Sequence, residues 1–251
     1  MTAIALNTFR EAIRDRVLYL LLFFAVVLIL ASRVVSMLTV GSEEKIIKDM
    51  GLAAIGLFGV LMAVLIGVSL VFKEIEKRTA QVLLARPIPR WHFLAGKFGG
   101  LAMVLALNCL LLTAALYAVL LARGDPDPGL LPAIGLLYVE QLVVTAVALL
   151  FSSFSSPILS CVFTLSVYAV GHLSWSFLIL KERLPAGAGR LLCDVLYYAL
   201  PNLDRFDIKG RVVHHLPVPA PELALAVVYG AGWTVVLLTL ACGVFARRDF
   251  S

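Results

Sequence analysis

Few side chains in this sequence are of types that could do chemistry, and the most conspicuous is Glu140. It lies near the middle of a long apolar run, and His172 lies further along the next run. An ionisable group in such a setting is costly and points to function by default. At about 1.5 Å of rise per residue, counting from the run ends sets Glu140 at the depth of Asn108 on the preceding run. The expectation is a hydrogen bond between them, with Glu140 protonated or facing a wet cavity. The pair then serves either a transport pathway or a structural polar clasp. His172 reads as a helix-packing residue, and Arg33 as a cation that snorkels to the membrane edge.

Catalytic patterns are missing. A phosphate-binding loop needs G-x-x-x-x-G-K-[ST], so that backbone amides wrap phosphates and a hydroxyl meets magnesium. Gly96-Lys97 is the nearest echo, but Trp91 stands where the first glycine belongs and Phe98 where the hydroxyl belongs. The chain is therefore expected to bind no nucleotide and to have no catalytic residue. No HExxH or C-x-x-C is present, and the adjacent His214 and His215 cannot share one helix face as metal ligands would. They read as loop residues, and no metal is expected. G-x-S-x-G is absent, so a serine-hydrolase elbow has no anchor. Cys109, Cys161 and Cys242 fall in apolar runs and Cys193 in a connection, where free thiols act as small apolar side chains.

The elements that must hold these residues follow from composition. The chain is 61% hydrophobic and 15% charged, with a mean hydropathy of +0.99. A soluble domain is about 45–50% apolar and about 25% charged, so a membrane protein is indicated. Six runs are long enough to cross about 30 Å of hydrocarbon: Val17–Val40, Met50–Phe72, Phe98–Leu121, Leu130–Phe151, Pro157–Leu180 and Glu222–Phe245. They lack the alternation of barrel strands, and only helices satisfy their own backbone in lipid. The fold class is thus all-α, a polytopic membrane protein of six transmembrane helices, and residues 1–251 form a single domain. The first run is too long for a signal peptide and is expected to stay as a span. Before it, residues 2–16 place Ala5, Phe9, Ala12, Ile13 and Val17 on one face, an amphipathic interfacial helix.

The net charge of +5 matters through its distribution, because Lys and Arg gather on cytoplasmic flanks. With the N-terminus inside, Arg10, Arg14, Arg16, the 73–97 loop, Arg247 and Arg248 all face the cytosol. The opposite loop, residues 181–221, also carries six cations and works against that count. Its Leu191, Leu192, Val195, Leu196 and Ala199 make a short helical face beside Tyr197 and Tyr198, an interfacial helix ended by Pro201. The remaining turn, Ser152 to Pro157, is short and uncharged.

The 73–97 loop reads KEIEKRTAQVLLARPIPRWHFLAGK. Pro87 and Pro89 break the preceding helix and fix a rigid turn. Trp91-His92-Phe93-Leu94 then starts a short helix whose apolar face suits a groove. Arg86 and Arg90 suit acidic partners, although the same cations would also suit anionic lipid. The pattern Glu74-x-Glu76-x-x-Thr79, then Val82-Leu83-Leu84, Arg86-Pro87-Ile88-Pro89-Arg90 and Gly96-Lys97 resembles the loop after the second span in ABC-2-type exporter permeases. The Tyr197-Tyr198-x-x-Pro201-Asn202-Leu203-x-x-Phe206 stretch and the C-terminal Arg247-Arg248-Asp249-Phe250 are similar too.

That resemblance implies a transmembrane permease subunit of an ATP-driven exporter. Cytoplasmic ATPase subunits on separate chains would bind ATP and Mg. A coupling helix at about Arg86–Gly96 would transmit their stroke, with Glu74, Glu76, Thr79, Arg86, Pro87, Pro89, Arg90, Trp91, Phe93 and Lys97 as the coupling residues. It implies a second permease copy, identical or not, a lipid environment and an inner or plasma membrane location with both termini cytoplasmic. Nucleic acid is not among the partners. The alternative is a non-transporting scaffold that uses the ATPase stroke to assemble or anchor an extracytoplasmic partner. An intramembrane enzyme lacks a catalytic pair.

Overall fold

A computed structural model describes residues 2–37, 43–76, 90–124, 126–184 and 187–247. Among them every regular element is helical. In chain order they are α1 (Thr2–Ile13), α2 (Arg16–Ser36), α3 (Glu43–Glu76), α4 (Arg90–Leu121), α5 (Leu131–Ser152), α6 (Pro157–His172), α7 (Ser174–Arg183), α8 (Ala188–Ala199), α9 (Lys209–Val213) and α10 (Ala220–Arg247). Short 3-10 turns precede α5 (Pro128–Leu130) and α9 (Leu203–Phe206). Five helices, α2, α3, α4, α5 and α10, are long and apolar enough to cross a membrane, and α6 with α7 makes a bent sixth candidate. Together with the family finding below, this makes the chain an integral membrane protein.

The local signals that start these helices are ordinary. Asp15 is extended and its carboxylate accepts the Val17 N–H at 3.0 Å, capping α2 as an N-cap side chain does. Ser156 is extended and Pro157 opens α6, where a missing N–H does no harm. Hydroxyls inside the bundle bond back to their own helix, as Thr145 does to Gln141 and Ser152 to Ala148, both at 2.7 Å. In lipid that return bond spares an unsatisfied donor.

α3 and α5 form the centre. In their apolar windows 72% and 67% of residues are buried, against 28% for α2 and 22% for α10, so the last two are peripheral. α3 packs on α2, α4, α5 and α6, and α5 packs on α4, α6 and α10. The helices alternate in direction. Asp15, Ser69 and Pro157 line one groove and Phe93 stacks on Phe245 at 6.0 Å, which defines a proximal end. Glu43 pairs with Arg123, and Lys48 with Asp127, at the distal end.

Two expectations change. α1 does not merely lie beside the bundle; it is docked on α4. A Cβ at Gly100 would sit 2.5 Å from the Thr8 Cβ and 2.6 Å from the Ala5 carbonyl oxygen. Only glycine lets the two helices approach that closely, and the buried residues of α1 are Thr8 and Ala12. Cys193 lies in the connection between the fifth and sixth runs, as expected, and is buried within its helix α8. The fifth run is not one rod: α6 and α7 bend by 61°. Leu173, between them, leaves helical geometry at φ −92°, ψ 8°. The bend occurs where Gly171 receives the returning chain, since a Cβ there would meet the Pro201 carbonyl oxygen at 2.8 Å. Ser174 Oγ donates to the Gly171 carbonyl at 2.7 Å, satisfying a group released by the break. The chain after α8 then folds inward, burying Leu203, Phe206, Ile208, Val212 and Val213.

Candidate functional site

The proximal end carries the ends of α3 and α4 that flank the basic segment. The apolar run of α3 ends at Phe72, yet the helix runs on to Glu76. That adds about 6 Å at 1.5 Å per residue. α4 begins at Arg90, well before Phe98. Residues 77–89 lie outside the described residues, and with them the expected coupling residues Thr79, Arg86, Pro87 and Pro89. Glu74, Glu76 and Arg90 are helical in backbone, with side chains outside the description. Of the rest, Trp91 is 52% exposed and stacks on His92 with ring centroids 3.8 Å apart. Phe93 faces the other way, against Phe245 of α10. Lys97 is fully buried, its ammonium 6.0 Å from the Phe93 ring centroid. Trp91 is thus available to a partner, whereas Phe93 and Lys97 tie α4 into the bundle.

Deeper in the bundle, the expected Glu140–Asn108 hydrogen bond is not formed. Both polar atoms of Asn108 lack a partner among the described residues, and Glu140 lies instead beside His172, Oε1 to Nε2 3.4 Å. Azimuth is the reason. Tyr138 turns towards α4, where its hydroxyl donates to the Ala102 carbonyl at 3.1 Å. Two residues on, at about 100° per residue from 3.6 residues per turn, Glu140 points to the opposite side of α5. There it meets the end of α6, just before the bend. His172 Nδ1 lies 3.2 Å from the Tyr168 carbonyl oxygen, which orients the ring. The Lys209–Asp207 pair of the inward-folded segment, 3.4 Å apart, is within electrostatic reach of both.

Gln141 was not among the expected residues. It is fully buried and its Nε2 donates to the Ile55 carbonyl of α3 at 3.2 Å. A Cβ at Gly59 would sit 1.9 Å from that nitrogen. The pairing of a glycine on one apolar run with an amide on another carries the signal, but neither is legible alone.

A second cluster sits at the distal end. Lys48 is 1% exposed and donates to Glu44 and, at 2.8 Å, to Asp127. His215 adopts a left-handed φ of 53°, a region His tolerates better than most residues. Its Nδ1 lies 3.7 Å from Asp127 and its Nε2 3.9 Å from Glu44. Desolvation works against the Asp127 carboxylate. The Lys48 hydrogen bond, the Gly129 amide and the Lys48 charge nevertheless hold its carboxyl below the ordinary value. Glu44, Asp127 and His215 could each offer a ligand atom to a cation, all within 4.8 Å of one another. The Lys48 ammonium already bonds both carboxylates, so the positive charge a metal would bring is supplied by the chain itself. The arrangement is a clasp joining α3, the turn before α5 and the segment after α9.

Comparison with known proteins adds one finding. A protein-family model described as "ABC-2 family transporter protein" matches residues 2–181, from α1 into α7. Comparison with curated proteins gives no match.

Proposed function

The chain belongs to the ABC-2 family of transporter proteins, a membrane transport component that is not itself the catalyst, and from that premise we propose that it is the permease subunit of an ATP-driven exporter. ATP and Mg bind a separate cytoplasmic ATPase. This chain converts the motor's closure into movement of its bundle. The observation that carries the reading is the proximal end: α3 runs past its apolar run to Glu76, α4 starts at Arg90, and the two flank the basic 77–89 segment, with Trp91 exposed beside it.

A push received near Trp91 has a direct route inward. α4 begins there, Phe93 links it to α10, and Gly100 binds it to α1. The orientation that fits is proximal end in the cytosol, with both termini there and the membrane being the inner or plasma membrane. A second copy, identical or related, completes the transporter. Glu140 and His172 act as a polar clasp at the bend between α6 and α7 that holds the inward-folded segment.

The test is co-purification with the ATPase together with ATPase stimulation in lipid vesicles. Trp91→Ala combined with Arg90→Glu is expected to abolish association and stimulation while leaving the permease folded and inserted. Unchanged association and stimulation would defeat the assignment. Substrate movement by the reconstituted pair would separate an exporter from a scaffold that uses the same stroke for assembly.

A further inference from the structure

The chain that follows α8 dips into the bundle. A Cβ at Gly171 would meet the Pro201 carbonyl oxygen at 2.8 Å, and one at Gly230 would meet the Phe206 ring at 3.1 Å. Leu203 and Phe206 are buried, while Asp204 and Arg205 between them are exposed. The Arg205 guanidinium lies 4.8 Å from the Tyr229 ring centroid. Tyr229 comes seven residues after Glu222 on α10, about 10 Å further in at 1.5 Å per residue. Two opposite charges therefore stand on the outside of the bundle at a depth that belongs to hydrocarbon.

The neighbouring charges of this stretch are answered within the chain. Asp207 pairs with Lys209 at 3.4 Å, and Arg211 pairs with Glu222. Asp204 and Arg205 have no ion pair among the described residues. Consecutive residues of a 3-10 turn point about 120° apart, so the two diverge: Asp204 has the His172 ring within electrostatic reach, and Arg205 has the Tyr229 ring. An unpaired charge is costly in hydrocarbon, and the stacked guanidinium is turned away from the headgroups that a long side chain could reach by snorkelling.

The missing charges must come from another protein surface, and a second copy of this chain has both. Two copies inserted in one orientation are related by a two-fold axis along the membrane normal, which sets each residue at the depth of its counterpart. Consecutive residues of a 3-10 turn differ by only about 2 Å in rise, so Asp204 of one copy and Arg205 of the other stand level. The axis answers both charges of each copy at once. α10 supplies apolar surface around them: its apolar window is only 22% buried, and Val228 and Val235 are more than 60% exposed on one face.

We propose that this face docks a second, identical copy of the chain, with Asp204 of each copy paired to Arg205 of the other beside α10. The proposal rests on the exporter reading, which calls for a second copy, and deepens it by making that copy identical and placing the contact. Its test uses neither ATPase nor substrate, so the two fail separately.

The experiment co-expresses two differently tagged forms of the full chain, extracts them in mild detergent and captures one tag. Unaltered forms are expected to co-purify, and native mass spectrometry to show a dimer. Arg205→Asp in both forms, or Asp204→Arg in both, sets like charges face to face and is expected to cut co-capture about tenfold or more. Asp204→Arg in one form with Arg205→Asp in the other restores both pairs and is expected to recover most of it. That mixture uses the same two variants, so it separates a lost contact from a lost fold. A monomeric unaltered chain would overturn the proposal. So would full co-capture by either variant alone, which would leave the two charges to water, or failure of the mixture to recover.

Discussion

Glu140 shows what one residue reveals and conceals. Its type and position in an apolar run announce that something must meet it. They do not say what, because depth along a helix is countable and azimuth relative to an unknown neighbour is not. The partner, His172, sits where α6 ends against a returning chain, and that contact is tertiary. Glu140→Leu alone leaves the His172 ring facing an apolar wall, and His172→Leu alone leaves a buried carboxyl. Each is expected to cost about 1–3 kcal/mol. The double variant is expected to lose less than the sum, since residues in contact are not additive. Thermal unfolding of the three variants in one detergent measures this, and strictly additive losses would show that the two side chains do not act together. Asp127 gives a pH prediction. Its folded carboxyl titrates below the ordinary value. Its contribution is therefore complete above the unfolded value of about 3.9 and is lost as pH falls through the lower, folded one. Asp127→Asn should flatten the decline of stability in acid, read by unfolding at stepped pH; an unchanged slope would mean that Asp127 is not clasped by Lys48.

At the scale of elements, the long rods were legible because twenty apolar residues leave the backbone one choice in lipid. The helix over residues 2–13 was legible from its periodicity, but its seat was not. An amphipathic helix reads the same whether its apolar side meets lipid or protein, and only Gly99 and Gly100 on another element decide it. The bend between α6 and α7 was illegible for a related reason: no proline marks it, and Gly171 matters through Pro201, thirty residues on. The coupling residues from Thr79 to Pro89 were read from the pattern alone and lie outside the described residues. Docking of α1 makes a sharp prediction. A Cβ built at Gly99 lies 3.7 Å from the Ala5 Cβ, inside the range of about 3.5–4.5 Å that a disulfide spans. Ala5→Cys with Gly99→Cys, in a chain whose native cysteines are replaced by alanine, should cross-link on mild oxidation. Adding Gly100→Val should prevent it by lifting Thr8 and Ala5 away. Efficient cross-linking with valine at 100 would show that α1 does not need the glycine seat.

For the whole molecule, the open issue is what a bent helix does to the count of crossings. If α6 and α7 turned back on themselves, the chain would cross five times and α10 would end opposite the start of α2. Geometry argues otherwise. α6, with 16 residues, rises about 24 Å at 1.5 Å per residue. α7, with 10 residues at 61°, adds about 7 Å along the same axis by the same rise. The sum, about 31 Å, matches the hydrocarbon thickness of about 30 Å. The chain also has to arrive: Pro157 lines a groove with Asp15 at the proximal end, and His215 stands beside Glu44 and Asp127 at the distal end. α10 then returns, bringing Phe245 back to Phe93. The prediction is six crossings, with Trp91 and the end of α10 on the cytosolic side and Tyr198 on the other. Single cysteines at Trp91→Cys and Tyr198→Cys, on a background with the four native cysteines replaced, test it with a membrane-impermeant maleimide. Intact cells should label position 198 and spare 91, and inverted vesicles should do the reverse. Labelling of both positions from one side would reduce the bent pair to a re-entrant loop and move the C-terminus, with the Phe93–Phe245 contact, out of reach of any single-sided motor.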